Sequence, residues 1–134
     1  MEITWNSQYD TGLRIIDEQH RELFGIVESL RRRIQAGAPG DEVETLLGDL
    51  VGCSERHFTT EEAIMSQSGY PDLSQHVAEH SSMLVSLREL QAGFQASQQA
   101  LAMLMPTFLE GWLKHHVCDG DFGFVTFLKA HGLA

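Results

Sequence analysis

The chain has 134 residues, 43% of them hydrophobic and 21% charged, and carries a formal net charge of -10 with histidine neutral. That is the length and composition of one globular domain with its own core, not of a disordered segment. So acidic a surface repels phosphate backbones and anionic lipid, so neither nucleic acid nor a membrane is expected as a partner.

Residues 1–7 contain no basic stretch followed by an apolar run, and no segment approaches the roughly 20 apolar residues that a bilayer span needs. The two cysteines, Cys53 and Cys118, form no CxxC pair, and a reduced cytoplasmic chain is the simplest expectation. Residues 1–16 read as an irregular arm broken at Gly12. Asp17 is placed as the N-cap of a first helix over about 17–36, whose stripe reads His20, Leu23, Phe24, Val27, Leu30 and Ile34. Gly37-Ala38-Pro39-Gly40 then breaks the chain.

Asp41 reads as the cap of a second helix over about 41–66, with Glu44 where the acid of a capping box stands. Its stripe runs through Val43, Leu46, Leu47, Leu50, Cys53, Ser54, His57, Glu61, Ile64 and Met65. A turn containing Gly69 and Pro71 leads to a third helix, about 74–94, carrying His76, His80, Met83, Leu84, Leu87, Leu90 and Phe94. The connection after it, near residues 93–97, is the least marked. A fourth helix, about 97–119, lines up Leu101, Leu104, Met105, Phe108, Trp112 and His116. Pro106 inside it deletes a backbone hydrogen bond and clashes with the preceding turn, which predicts a kink or a restart. A short terminal helix over about 121–130 packs Phe124, Phe127 and Leu128. The pattern predicts an all-α fold, an antiparallel up-down-up-down four-helix bundle with an irregular N-terminal arm and a short C-terminal helix, residues 1–134 forming one domain.

Polar residues interrupt the apolar stripes at six places: His20, His57, Glu61, His76, His80 and His116. Burying a polar group without a partner costs roughly 1–3 kcal/mol, and an unpaired carboxylate several more. A metal cluster removes that cost by giving each lone pair a cation. His57 and Glu61, like His76 and His80, are four apart and so share a helix face. His116 and Asp121 are five apart, about 140° around an ideal α-helix, so that pair needs a widened turn or a helix ending near Gly120. In an antiparallel bundle the starts of odd helices meet the ends of even ones, and all seven groups then fall in a slab about two turns thick. Seven ligands suit two ions. Two bridging carboxylates, five imidazoles and one oxo or hydroxo bridge leave one position open on a pair of octahedral ions, where a small ligand such as O2 can enter.

The ordered set Trp5, Tyr9, Gly12, Ile16-Asp17-Glu18-Gln19-His20, His57-Phe58-x-x-Glu61-Glu62-x-x-Met65, Tyr70-Pro71, His76-x-x-x-His80 and Trp112-Leu113-x-x-His116-Val117-x-x-x-Asp121 resembles the hemerythrin family in its bacterial single-domain form, over nearly the whole chain. The resemblance implies a non-haem di-iron centre that binds O2 reversibly, as a hydroperoxide at the iron with the open position. It implies that His76, His80 and His116 hold the filled iron, that His20 and His57 hold the other, and that Glu61 and Asp121 bridge. Phe124 stands where many members carry tyrosine, His115 doubles the motif histidine, and Pro106 is unusual; none of the three is a ligand.

Blander roles suit the remaining residues. His115 falls off the stripe and His131 lies in the tail; Cys53 reads as core and Cys118 as a small buried hydrophobe near the site. Glu62 faces solvent or a salt bridge. Phe24, Phe58, Met65 and Trp112 read equally as pocket lining and as plain packing, and Trp5 and Tyr9 as a lid over the metal end. Three functions are open: an O2 carrier or store, an O2 or redox sensor, and a di-iron peroxidase or oxidase. A domain with no output module and no evident substrate pocket favours the first, a binding protein and not an enzyme.

Overall fold

The computed structural model describes residues 9–96 and 105–133, and for residues 96 and 118–120 the backbone alone. The described residues are helical, without strands, and form a four-helix bundle: α1 (Arg14–Gln35), α2 (Gly40–Ser68), α3 (Leu73–Ala96) and α4 (Met105–Lys114). A π-helical turn (His115–Asp121) continues α4 and leads into a short α5 (Phe122–Ala130).

The four-residue connections 36–39 and 69–72 make α1, α2 and α3 successively antiparallel, and cross-helix contacts fix the register. Gln19 reaches Thr60 at 3.2 Å and Arg33 reaches Glu42 at 3.2 Å across α1 and α2. Arg88 pairs with Glu55, and His80 with Glu62, across α2 and α3. Trp112 of α4 donates its indole N–H to the Met83 carbonyl of α3 at 3.3 Å. At the end of α2, Gly69 adopts φ +71°, a left-handed cap that a side chain would strain, and the Tyr70 N–H closes back on the Met65 carbonyl at 3.0 Å. That turn swings the Tyr70 ring to within 5.4 Å of His76.

Two apolar clusters stand on either side of the polar slab. The larger holds Leu23, Phe24, Leu50, Phe58, Leu87, Trp112, Leu113 and Val117 among others. The smaller holds Ile16, Met65, Tyr70, Phe124 and Leu128. Each large apolar side chain withdrawn from water stabilises the bundle by about 1.5–3 kcal/mol. Ile16 precedes His20 by four residues, Met65 follows Glu61 by four, and Phe124 follows Asp121 by three. One helical turn thus separates each polar residue from apolar cover.

Three local expectations need correction. Asp17 is not the N-cap of α1. The cap is Leu13, with no side-chain bond, and the helix starts three residues earlier than expected. Asp17 instead reaches back from the first turn to accept Thr11 N–H and Thr11 hydroxyl at 2.8 Å each and Gly12 N–H at 3.1 Å. Asp41 likewise lies inside the first turn of α2. Pro39 occupies the cap position, its preset φ suiting the approach to the helix, and no side chain caps there, so Glu44 completes no capping box. Phe108 is 43% exposed, because the buried face of α4 runs through Met105, Leu109, Trp112 and Leu113. Pro106 is the second residue of the described α4. The stretch 97–104, on which the expected connection, restart, Leu101 and Leu104 fall, lies outside the described residues, as do Trp5 and the side chain of Cys118.

Candidate metal centre

His20 of α1, His57 and Glu61 of α2, His76 and His80 of α3, and His116 and Asp121 of the π-helical turn are all buried, His76 the most accessible at 7%. They meet at one end of the bundle. Five of them, His20, His57, Glu61, His116 and Asp121, each place one ligand atom within 4.8 Å of all the others, and His76, His80 and Asp121 do the same. Asp121 belongs to both groups. Glu61 also faces both, its Oε1 lying 3.1 Å from His57 Nε2, 3.2 Å from His116 Nε2 and 3.4 Å from His80 Nε2. The resemblance implies His116 beside His76 and His80; here its Nε2 stands with the first group, 2.8 Å from His57 Nε2.

The π-helical turn is what brings His116 and Asp121 together. Bonds closing at i→i+5 widen the turn by nearly one residue relative to an α-helix, so residues five apart come close to sharing a face. His116 Nε2 lies 2.9 Å from Asp121 Oδ2, and His20 Nε2 touches the same oxygen.

Both Glu61 oxygens, Asp121 Oδ1 and His80 Nε2 are buried without a hydrogen-bond partner among the described residues. Unmet polar atoms of this kind each cost about 1–3 kcal/mol and are rare without a reason. The separations supply one. Donors held about 2.1 Å from one octahedral ion stand roughly 3.0 Å apart, and the contacts of His57, Glu61, His116 and Asp121 run from 2.8 to 3.4 Å. Imidazole with carboxylate is also a donor set that divalent first-row metals accept. The cluster is therefore a buried His/Glu/Asp site able to hold metal.

Electrostatics point the same way. Burial disfavours charge throughout. It pulls His20 below its ordinary value despite Asp121. For His116, burial is outweighed by Asp121 and Glu61, which push the ring up to about 10, and His57 is raised in the same manner by Glu61 and Asp121. Burial would raise Asp121, but the His116 charge overrides it and holds the carboxyl well below its usual range; Glu61 is lowered too, against burial and the Asp121 charge, by His116 and His57. The carboxylates thus demand positive charge inside the bundle.

Two residues outside the cluster orient it. His57 Nδ1 lies 2.7 Å from Gln19 Oε1, while Gln19 Nε2 donates to Thr60 Oγ1 at 3.2 Å and Thr60 donates to the Arg56 carbonyl at 2.9 Å. The chain of donors leaves Gln19 Oε1 as the acceptor, so His57 carries its proton on Nδ1 and turns a lone pair inward from Nε2. Glu62 Oε2 stands 2.9 Å from His80 Nδ1 and fixes His80 likewise. The Phe58 ring lies flat on His80, centroids 4.0 Å apart and planes 5° from parallel. In the sequence Gln19 stands only as a motif residue without a role of its own, and Glu62 only as facing solvent or a salt bridge. Their signal is adjacency: each sits beside a site residue, His20 or Glu61, on the neighbouring helix face. His115 is exposed, and His131 is exposed with its Nδ1 on the Phe127 carbonyl at 2.9 Å.

The same residues place the chain among known proteins. The family model described as Hemerythrin HHE cation binding domain matches residues 11–128. Similar chains include a bacteriohemerythrin of Stenotrophomonas maltophilia, 26% identical over 132 residues that span 96% of this chain and 83% of that one. Another, from Methylococcus capsulatus, is 28% identical over 120 residues, 89% of this chain and 91% of the relative. A third, from Clostridium acetobutylicum, is 25% identical over 126 residues, 90% and 97% of the two. The family match spans all seven clustered residues and the helices that carry them, and the chain belongs to the hemerythrin family.

Proposed function

We propose that this chain holds two iron ions and binds O2 reversibly, as an oxygen carrier or store. His20, His57, Glu61, His76, His80, His116 and Asp121 would be the ligands, with Glu61 and Asp121 bridging. The observation that carries the reading is the convergence of these seven side chains on one buried volume, where two carboxylates each face imidazoles of both groups. Bound there, a ferrous pair would supply two one-electron reductants beside an open coordination position, the combination that reversible O2 binding needs.

The chain's own residues do the rest. Gln19 and Glu62 hold the His57 and His80 rings with Nε2 lone pairs turned inward. The two apolar clusters exclude water from both sides of the slab, which strengthens each charge interaction within it and hinders loss of reduced oxygen as a free species. Among the described residues no helix is long and apolar enough to cross a membrane.

The test is optical. Iron-loaded protein, reduced without air, should gain a visible charge-transfer band on exposure to O2 and lose it again under vacuum or inert gas, over repeated cycles. A single irreversible oxidation on first contact with air would refute the carrier reading, and rapid turnover with peroxide would favour an enzyme.

A further inference from the structure

The imidazoles of the two groups are held from behind by different chemistry. His57, in the first group, donates its Nδ1–H in a hydrogen bond to a neutral amide, Gln19 Oε1, at 2.7 Å. His80, in the second, donates its Nδ1–H to a carboxylate, Glu62 Oε2, at 2.9 Å. Both arrangements are built. Gln19 is fixed by the Thr60–Arg56 relay, which sets the sense of its amide. His80 is clamped between Glu62 and the stacked Phe58, and its buried Nε2 has no hydrogen-bond partner among the described residues. One imidazole of each group is thus backed by a partner of different charge, neutral behind His57 and anionic behind His80.

A carboxylate accepting from Nδ1–H leaves more electron density on Nε2 than an amide does, and a more basic nitrogen favours the more positive metal ion. Resting on the reading that the cluster holds iron, we infer that Gln19 and Glu62 are positioning residues that make the two metal positions electronically unequal. Glu62 behind His80 stabilises the ferric state of its ion, and the amide of Gln19 behind His57 leaves the other ion easier to keep ferrous. The ion at the His80 position is then the stronger electron donor of the pair.

The experiment uses the full chain loaded with iron, as wild type, Glu62→Gln and Gln19→Glu. Iron per chain is counted, and the ferric-to-ferrous ratio is followed optically in a redox titration. With wild-type iron content, Glu62→Gln should move the ratio at fixed potential roughly tenfold toward ferrous, in line with the effect of outer partners on metal sites. Gln19→Glu should move it by a similar factor toward ferric. Tenfold in a one-electron couple corresponds to 59 mV. Glu62→Asp, which keeps the charge, should lie nearer wild type than Glu62→Gln. Unchanged ratios at full iron loading, or shifts of the same sign in both variants, overturn the inference while leaving the iron reading intact. Should Glu62→Gln fail to fold, Gln19→Glu decides alone: a ferric shift supports, no shift overturns. A wild-type chain that takes up no iron overturns both readings.

Discussion

His116 Nε2 lies 2.9 Å from Asp121 Oδ2 although the two residues are five apart in the chain. In an α-helix they would point about 140° apart. The π-helical turn His115–Asp121 removes that angle, and its geometry makes a paired prediction. Deleting one residue within 118–120 leaves His116 and Asp121 four apart, the spacing of His57–Glu61 and His76–His80, so a regular α-turn can replace the wide one and metal content should survive. Inserting one alanine in the same stretch puts them six apart, which neither kind of turn returns to one face, and metal content should fall. Metal analysis of the two variants checks the contrast; equal loss in both would show that the wide turn has another purpose.

Glu61 Oε1 faces imidazoles of both groups. Replacing Glu61 with alanine should remove a bridge and leave one metal ion per chain or none. Two tightly held irons in that variant would refute the bridging assignment.

Removing the metal should cost stability, because the buried imidazoles and carboxylates lose the ions that would hold them together. At free metal about 1,000 times Kd the bound form gains about 4 kcal/mol, on the order of 10 °C in Tm for a domain of this size. Calorimetry before and after chelation measures it, and coincident melting curves would contradict it.

The metal-free protein should weaken in alkali. Against burial, Asp121 and Glu61 raise the His116 imidazole from its ordinary 6.5 to about 10. A raised value means the folded state binds that proton more tightly, so the contribution is complete below 6.5 and is lost as pH climbs toward 10. Tm of the chelated protein should therefore fall over this window, while metal affinity rises, since binding must displace the same proton. A Tm that holds or rises above pH 8 or so would contradict the sign.

The buried Asp17 carboxylate accepts two backbone N–H groups and one hydroxyl from the arm ahead of α1. Asp17→Ala should leave those donors unmet and cost roughly 1–3 kcal/mol in denaturant unfolding, with metal content unchanged. A loss of metal in that variant would mean that the arm helps to form the site.

Much of this was legible from periodicity. His20, His57, Glu61, His76, His80 and His116 stood on stripes otherwise made of Leu, Val and Phe, and the antiparallel order put them at one end; both features rest on a 3.6-residue repeat that the sequence displays directly. The widened turn was legible as a requirement, because five-residue spacing fails in an α-helix. Helix starts were not. Asp17 and Asp41 have cap chemistry, yet an acid inside the first turn suits the helix dipole as well, and only the fold shows that Asp17 serves the preceding loop. Phe108 was misplaced because a stripe read by threes and fours can drift to either side of the buried face, and Leu109 beside it took the core position. The parts that Gln19 and Glu62 play behind His57 and His80 were not legible, because an acceptor for Nδ1 is defined across helices, by a register that no single stripe contains.

The most direct measurement is an X-ray anomalous difference map at the iron edge from crystals grown with iron. Two peaks enclosed by His20, His57, Glu61, His76, His80, His116 and Asp121 are predicted, with Glu61 and Asp121 touching both. No peak there, or iron bound only at surface carboxylates, would contradict the account.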